Sequence, residues 1–225
     1  SGSLSAVGVF NQFYAIFVIF GQLFSFSIPE YNLRNLPIIN SQKEISNIIS
    51  TSILISFISS FFCFIILYLS QNIFFYYTQS LSIKDGIIFL SIGIFIFILN
   101  KSFFSFLIAT KEFISFALLN SLRSILLVIF TIFFLDNSDY SKLALVFTFS
   151  ETIILLINIF LFKKNLILKL INFKANIISI FNFCRKSFIY SFLCESFIRI
   201  DILILTYFFV DKYVGIYALA AIFSE

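Results

Sequence analysis

The sequence contains no histidine, methionine or tryptophan, and only two prolines and three cysteines. The cysteines, Cys63, Cys184 and Cys194, stand alone without C-x-x-C spacing. This leaves no ligand set for a metal centre, so we expect no metal site. The same absence excludes a Ser–His–Asp constellation, and the chain has no G-x-x-x-x-G-K-[ST] phosphate loop. We therefore predict no enzymatic activity and no cofactor, and we interpret the thiols as small packing groups.

Charge is also scarce. Charged residues make up 12% of the chain and hydrophobic residues 60%, whereas a soluble domain carries about 25% charge. A soluble protein of 225 residues has too little interior to bury so much Phe, Ile and Leu. The composition therefore predicts an integral membrane protein, and the net charge of +4 reflects its topology rather than an affinity for nucleic acid.

The two ends of the chain predict a piece of a longer polytopic protein. The sequence begins at a serine, and Glu225 falls inside an apolar run. No basic segment and small-residue cleavage site precede the first apolar run, so that run is not interpreted as a signal peptide.

Six apolar runs have the length of about 20 residues that a helix needs to cross a bilayer. They are Val9–Ile28, Ile45–Leu69, Gly86–Ile108, Phe113–Leu135, Leu143–Phe162 and Phe188–Val210, and Val214 begins a seventh. The expected fold is an all-α, polytopic transmembrane bundle, because short joints between runs favour antiparallel neighbours. We divide the chain into residues 1–162, a basic inter-lobe loop at 163–187, and the start of a second lobe at 188–225.

The basic loop predicts the orientation of the bundle. Its cations are Lys163, Lys164, Lys169, Lys174, Arg185 and Lys186, without any acidic residue between Lys163 and Lys186. Basic residues concentrate in cytoplasmic loops, so we assign this segment as a cytoplasmic anchor. Its near-helical apolar spacing predicts a helix on the membrane surface, where each lysine contributes about 1 kcal/mol toward anionic lipid.

The remaining joints agree with that orientation. Alternating the sides along the chain places Arg34, Lys43 and Lys111 with the basic loop. The opposite side receives Lys84, Lys142 and Lys212, each with an acidic residue in its own joint. The count of crossings is thus consistent with the distribution of charge.

Two sets of small residues recur at helical spacing within the runs. They are Ser52, Ser56 and Ser60 in the second run, and Ala117, Ser121 and Ser124 in the fourth. Such stripes let helices approach closely in lipid. Close packing and the lining of a hydrated cavity both remain open for these residues.

Besides Lys101, five charged residues fall inside the runs, where insertion costs about 2.5–3.5 kcal/mol each. They are Arg123, Glu151, Glu195, Arg199 and Asp201. Glu195 and Arg199 are four residues apart and could pair on one helix face. One interpretation is that these charges only neutralise one another. The other is a polar central cavity in which Arg123 and Arg199 bind an anionic substrate, while the three carboxylates act as partners or couple transport to an ion. Lys101 is assigned a snorkelling position.

Three stretches carry a family resemblance. LSAVGVFNQFYAIFVIFGQLFSFSIPEYNLR, with Gly8 and Arg34, resembles the first-to-second helix region of Wzx-type O-antigen flippases of the multidrug/oligosaccharidyl-lipid/polysaccharide exporter superfamily. LIATKEFISFALLNSLRSILL resembles their passage from the fourth helix to the fifth. IRIDILILTYFFVDKYVGIYALAAIFSE, with Asp201, resembles the passage from the seventh helix to the eighth. Pro29-Glu30 departs from the family, which more often has a Gly-rich end there.

The resemblance implies one lobe of a twelve-helix transporter in the bacterial inner membrane. The expected function is alternating-access flipping of a polyprenyl-linked oligosaccharide across the bilayer. Other membrane proteins of polysaccharide assembly are expected partners, besides the lipid itself. The rivals are a drug or cation exporter of the same superfamily, a membrane-embedded glycan polymerase or acyltransferase, and a small structural subunit.

Overall fold

The computed structural model describes residues 2–135, 139–162, 173–197 and 199–224. Within these ranges the chain forms ten α-helices and no β-strand. Six of the helices are long and apolar enough to cross a membrane. The predicted all-α bundle is therefore confirmed, and the chain is a multi-pass membrane protein.

The helices follow in chain order. They are α1 (Gly2–Ser25), α2 (Ile28–Asn35), α3 (Gln42–Leu69), α4 (Gln71–Thr78), α5 (Leu81–Ala109), α6 (Phe113–Phe134), α7 (Leu143–Phe162), α8 (Phe173–Ser196), α9 (Ile200–Phe208) and α10 (Asp211–Ser224). Short 3₁₀ turns lie at Leu36–Ile38 and Tyr140–Lys142. The first five predicted runs match α1, α3, α5, α6 and α7, and the short helices α2 and α4 lie in joints that the sequence left unassigned.

Helix α1 ends at Ser25, earlier than Ile28, the end predicted from the position of Pro29. Phe26 and Ser27 adopt left-handed backbone conformations, with φ of 47° and 56°, and separate α1 from α2. Pro29 then lies in the first turn of α2, where a missing N–H costs no helical hydrogen bond. The predicted end at Ile28 is thus wrong by three residues, because the proline begins a helix instead of ending one.

Helix α5 is the centre of the bundle. Ile87, Leu90, Ile94 and Ile98 repeat at steps of three and four along it and are completely buried. It packs against α1, α3 and α7, with α2 and α4 at its two ends. Helix α6 is peripheral, with Leu119 as its one fully buried residue. Because lipid solvates apolar side chains as well as a core does, close packing rather than dehydration must hold α5 in place.

The two ends of the bundle differ in the joints they hold. One cavity of about 550 Å³ is lined by Leu36, Gln42, Lys111 and Phe162, so α2, α3, α5, α6 and α7 all begin or end there. We call this the basic end, because the segment after Phe162 is the predicted cytoplasmic loop. The opposite end holds the start of α5 and the start of α10.

The sixth predicted run is not one helix. Helix α8 starts at the basic end, where Ser179 lies 3.1 Å from the hydroxyl of Tyr31, and it stops at Ser196. Helix α9 continues toward the opposite end, where Tyr207 meets Tyr77. The predicted crossing Phe188–Val210 is therefore made by the second half of α8 followed by α9. The helix breaks between Glu195 and Arg199, the two charged residues that their spacing placed on one helix face.

The two small-residue stripes have different surroundings. Ser52, Ser56 and Ser60 are fully buried, and the Ser56 hydroxyl lies 2.7 Å from that of Ser102 on α5. This stripe therefore packs α3 against the central helix. Ala117, Ser121 and Ser124 are exposed on α6, so the expected close packing of that stripe is not formed within the described residues.

Two glycines bring α1 and α10 into backbone contact. A Cβ added at Gly8 would collide with the carbonyl oxygen of Asp211, and one added at Gly215 would collide with that of Leu4. Backbone atoms cannot yield as a flexible side chain does, so the helices approach this closely because both residues lack a Cβ.

We expect Gly215→Val to separate α1 from α10 and to lower the free energy of unfolding by about 1–3 kcal/mol, the usual cost of overpacking. Reversible unfolding in mixed SDS micelles, followed by circular dichroism, measures the change. Ala220→Val is the matched control, because Ala220 is exposed on the same helix. Equal stabilities of the two variants would contradict the close crossing.

Candidate functional site: buried ionic groups around Phe97

The best-buried ionic group is the pair formed by Arg123 of α6 and Glu151 of α7. Nε of Arg123 lies 2.8 Å from Oε1 of Glu151, and Nη2 donates to Oε2 at 3.1 Å. The Glu151 side chain is 1% exposed and that of Arg123 is 16% exposed. Because α6 and α7 are consecutive antiparallel helices, the two residues reach the same depth, about 12–16 Å from the joint at 1.5 Å per residue.

Two asparagines extend this pair across the bundle. Asn100 of α5 donates to Oε2 of Glu151 at 2.8 Å and to its backbone carbonyl at 2.9 Å. Asn158 of α7 donates to Oδ1 of Asn100 at 3.1 Å. Both asparagines are fully buried. The buried Glu151 carboxyl group thus receives donors from two other helices, so its polar atoms have hydrogen-bond partners in the apolar interior.

Aromatic rings cover the guanidinium of Arg123. Its central carbon lies 4.5 Å from the ring centroid of Phe104 and 5.3 Å from that of Phe97, both on α5. The quadrupole of each ring attracts a cation at this distance. Arg123 is therefore fixed by one carboxylate and two rings. Of its five N–H donors, one on Nη2 donates to Glu151, while the buried Nε–H makes no hydrogen bond with the described residues.

A second cation reaches the same ring. Nζ of Lys101 lies 5.9 Å from the centroid of Phe97, donates to Oε1 of Gln22 and lies 3.4 Å from Oε1 of Glu195. The Lys101 side chain is 18% exposed, so it does not extend into solvent as the snorkelling assignment expected. These contacts join α5 to α1 and to the end of α8.

The Gln22 amide continues this second group. Its Nε2 lies 3.4 Å from Oε1 of Glu30, and Oε2 of Glu30 is buried without a hydrogen-bond partner in the described part of the chain. We call the side chains of Lys101, Gln22, Glu30 and Glu195 the Lys101 cluster. It carries two carboxylates for one cation, so it attracts a further cation more than an anion.

Arg199 and Asp201 lie apart from both groups. The guanidinium of Arg199 is 4.8 Å from the ring centroid of Tyr14 on α1. Asp201 accepts a hydrogen bond from Tyr217 at 2.6 Å and from the backbone N–H of Ile202 at 2.8 Å. Helix α8 ends between Glu195 and Arg199, so the expected pairing of these two residues does not occur.

The structure therefore groups the predicted site residues in three places. Arg123 pairs with Glu151, Glu195 pairs with Lys101, and Arg199 lies on an aromatic ring near Asp201. Phe97 joins the first two places, because both of its cations contact the same ring. Three cavities lined by described residues lie elsewhere, at the two ends of the bundle.

Of the predicted cytoplasmic anchor, the described residues include half. Lys174, Arg185 and Lys186 are exposed along the first part of α8, while Lys163, Lys164 and Lys169 lie outside the described residues. The apolar side of this part of α8 buries Ile180 and Cys184 against α2.

Sequence reasoning missed the amides. Asn100 and Asn158 are each the single amide of an apolar run, and Gln22 lies ten residues beyond Gln12 in its run, so none of the three forms a pattern with a neighbouring amide. A usable signal was their depth, because a buried amide in a transmembrane helix needs a partner. Comparisons with family models, curated proteins and solved structures gave no match for this chain.

Proposed function

We propose that this protein transports a lipid-linked oligosaccharide across the bacterial inner membrane by alternating access, as part of polysaccharide assembly. The observation that supports the proposal is Arg123, a cation held deep in a multi-pass bundle with N–H donors left for an anion. Its guanidinium is fixed by Glu151 and two phenylalanine rings. The flippase resemblance of the sequence supplies the class of substrate.

The chemistry of such a substrate fits the arginine. A lipid-linked glycan carries a pyrophosphate or acidic sugars, and a planar guanidinium binds these oxygens with two parallel hydrogen bonds. Glu151 holds Arg123 in place through the ion pair at Nε and the hydrogen bond from Nη2, so an incoming anion meets the donors that make no hydrogen bond to Glu151. Arg199 is the second proposed anion contact. The carboxylates of Glu195 and Asp201 are the groups that we propose to couple transport to an ion.

The experiment measures surface glycan in cells whose own transporter has been deleted and replaced by the full-length protein. We expect Arg123→Lys and Arg199→Ala each to reduce export about tenfold or more, because lysine keeps the charge of Arg123 but loses its bidentate geometry. Lys43→Ala is the matched control, because Lys43 is an exposed cation at the basic end. Membrane levels of each variant are compared by immunoblot.

Export at the normal level in both arginine variants would overturn the proposal. A fall in export that follows a fall in membrane level would assign the arginines to folding alone. Restored export in an Arg123→Met/Glu151→Leu variant would also overturn it, because that variant has no cation at this position.

A further inference from the structure

A cleft between α1, α4 and α9 is formed by two adjoining cavities. The deeper cavity, of about 290 Å³, is lined mainly by apolar side chains, among them Ile16, Phe20, Ile73 and Leu203. The outer cavity, of about 330 Å³, includes Gln79, Ser80 and Asp211. Tyr77, Thr78, Thr206 and Tyr207 line both cavities. The cleft is therefore apolar in its depth and polar at its mouth, as an amphiphile requires.

The mouth carries an uncompensated negative charge. Oδ1 of Asp211 accepts a hydrogen bond from Nε2 of Gln12, and Oδ2 accepts one from Oγ of Ser80, each at 3.0 Å. Among the described residues no lysine or arginine nitrogen lies within 4.0 Å of this carboxylate. A carboxylate has room for about four donors, so two positions remain for a cationic ligand with N–H groups.

A buried acceptor of the deeper cavity lies next to Asp211. Gln12 is completely buried and lines the deeper cavity. Its Nε2 is used by Asp211, while its Oε1 accepts no hydrogen bond from the described part of the chain. Buried amide oxygens are almost always paired in native proteins, so a ligand that donates N–H groups would complete this one.

Two tyrosines offer ring faces at the same place. The rings of Tyr77 and Tyr207 lie 5.7 Å apart between centroids, and the residues are 54% and 56% exposed. Aromatic faces next to a carboxylate favour ammonium groups over neutral ones. The exposed rings also leave the cleft open to the surrounding lipid.

We infer that this cleft binds a primary-ammonium amphiphile, namely the ethanolamine headgroup of a phospholipid, with an acyl chain in the deeper cavity. Ser80 and Asp211 lie where α5 and α10 begin, at the end of the bundle, whereas Ile16 and Phe20 lie further along α1. The ammonium therefore lies at headgroup level and the chain follows the bilayer interior. A primary ammonium is preferred to a quaternary one, because only the former has N–H groups for Asp211 and Gln12.

This site does not depend on glycan transport, so it is tested by lipid binding alone. The protein is placed in phosphatidylglycerol nanodiscs that contain one-fifth phosphatidylethanolamine or one-fifth phosphatidylcholine. Native mass spectrometry then counts the lipids that remain bound to the protein after it is released from the nanodiscs. We expect at least fivefold more phosphatidylethanolamine than phosphatidylcholine, and displacement of the former by dodecylamine.

Three variants locate the bound lipid. Asp211→Asn is expected to remove the preference, because it keeps the shape and deletes the charge. Tyr77→Leu, at a position that is 54% exposed, is expected to reduce retention two- to threefold. Asp85→Asn is the matched control, because Asp85 is an exposed aspartate near the start of α5.

Equal retention of the two phospholipids would overturn the inference, and so would an unchanged preference in Asp211→Asn. Binding of dodecylamine without any phosphatidylethanolamine would reject the phospholipid and assign the cleft to free alkylammonium ions. Loss of the preference in Asp85→Asn as well would show that surface charge, not the cleft, selects the lipid.

Discussion

Glu151→Ala is expected to lower the free energy of unfolding by about 3–5 kcal/mol, the usual effect of removing one member of a buried ion pair. The substitution leaves the Arg123 guanidinium beside two phenylalanine rings without its anion. It also removes one of the two acceptors of the Asn100 amide, because the 2.8 Å hydrogen bond to Oε2 is lost while the one to the backbone carbonyl remains. Unfolding in mixed SDS micelles, followed by far-ultraviolet circular dichroism, measures the loss.

The double variant Arg123→Met/Glu151→Leu is expected to recover most of that stability. Apolar replacements leave no unpaired charge, and buried pairs exchanged in this way are often neutral in stability or better. The comparison separates the role of the pair in folding from its proposed role in transport, because the double variant is expected to fold and yet lacks the cation. A double variant as unstable as Glu151→Ala would contradict the ion pair.

Glu195→Ala supplies the matched control for this prediction. Glu195 also faces a cation, but its side chain is 49% exposed. Its 3.4 Å contact with Lys101 is therefore weaker than the enclosed pair, and we expect a loss below about 1 kcal/mol. A loss as large as that of Glu151→Ala would show that burial does not decide the strength of these pairs.

The helical runs could be predicted because lipid imposes one strong requirement. A chain in the bilayer must satisfy its own backbone hydrogen bonds, so length and hydropathy alone locate α3, α5, α6 and α7. The ends of α1 were harder, because Pro29 is compatible both with ending a helix and with starting one. Hydropathy contains no information that separates these two cases.

The break between α8 and α9 could not be predicted from local pattern. Glu195 and Arg199 have the spacing of a helical pair, and that spacing favoured an unbroken helix. The competing contacts come from distant parts of the chain, because Glu195 pairs with Lys101 and the guanidinium of Arg199 lies over the ring of Tyr14. Tertiary partners therefore decide where this helix ends.

The sequence predicted which charged residues form the ionic site, but it did not predict which of them contact one another. Mid-helix position indicated Arg123 and Glu151, because charges at that depth need partners. Their pairing follows from α6 and α7 being antiparallel neighbours, which the short joint already favoured. The role of Asn100 depends on how α5 packs against both helices, and no spacing within one helix contains that information.

The second large expected effect is on the labelling of introduced cysteines, which reports the orientation of the protein in the membrane. An introduced cysteine at Gln79 is expected to react with a membrane-impermeant maleimide in intact cells, whereas one at Asn40 is expected to react only after lysis. Both residues are exposed, at opposite ends of the bundle. The physical reason is the concentration of basic residues, which is expected to hold the end containing Asn40 in the cytoplasm.

A Cys194→Ser background serves both variants, because Cys194 is the exposed native thiol while Cys63 and Cys184 are buried. That background without an introduced cysteine is expected to remain unlabelled in intact cells. The reverse pattern, with Asn40→Cys labelled from outside, would place the basic end outside the cell. Labelling of both variants in intact cells would show that α3 does not cross the membrane, since α3 and α4 are the helices between the two positions. Because every later crossing is counted from α3, that result would also reassign the sides of α5, α6 and α7.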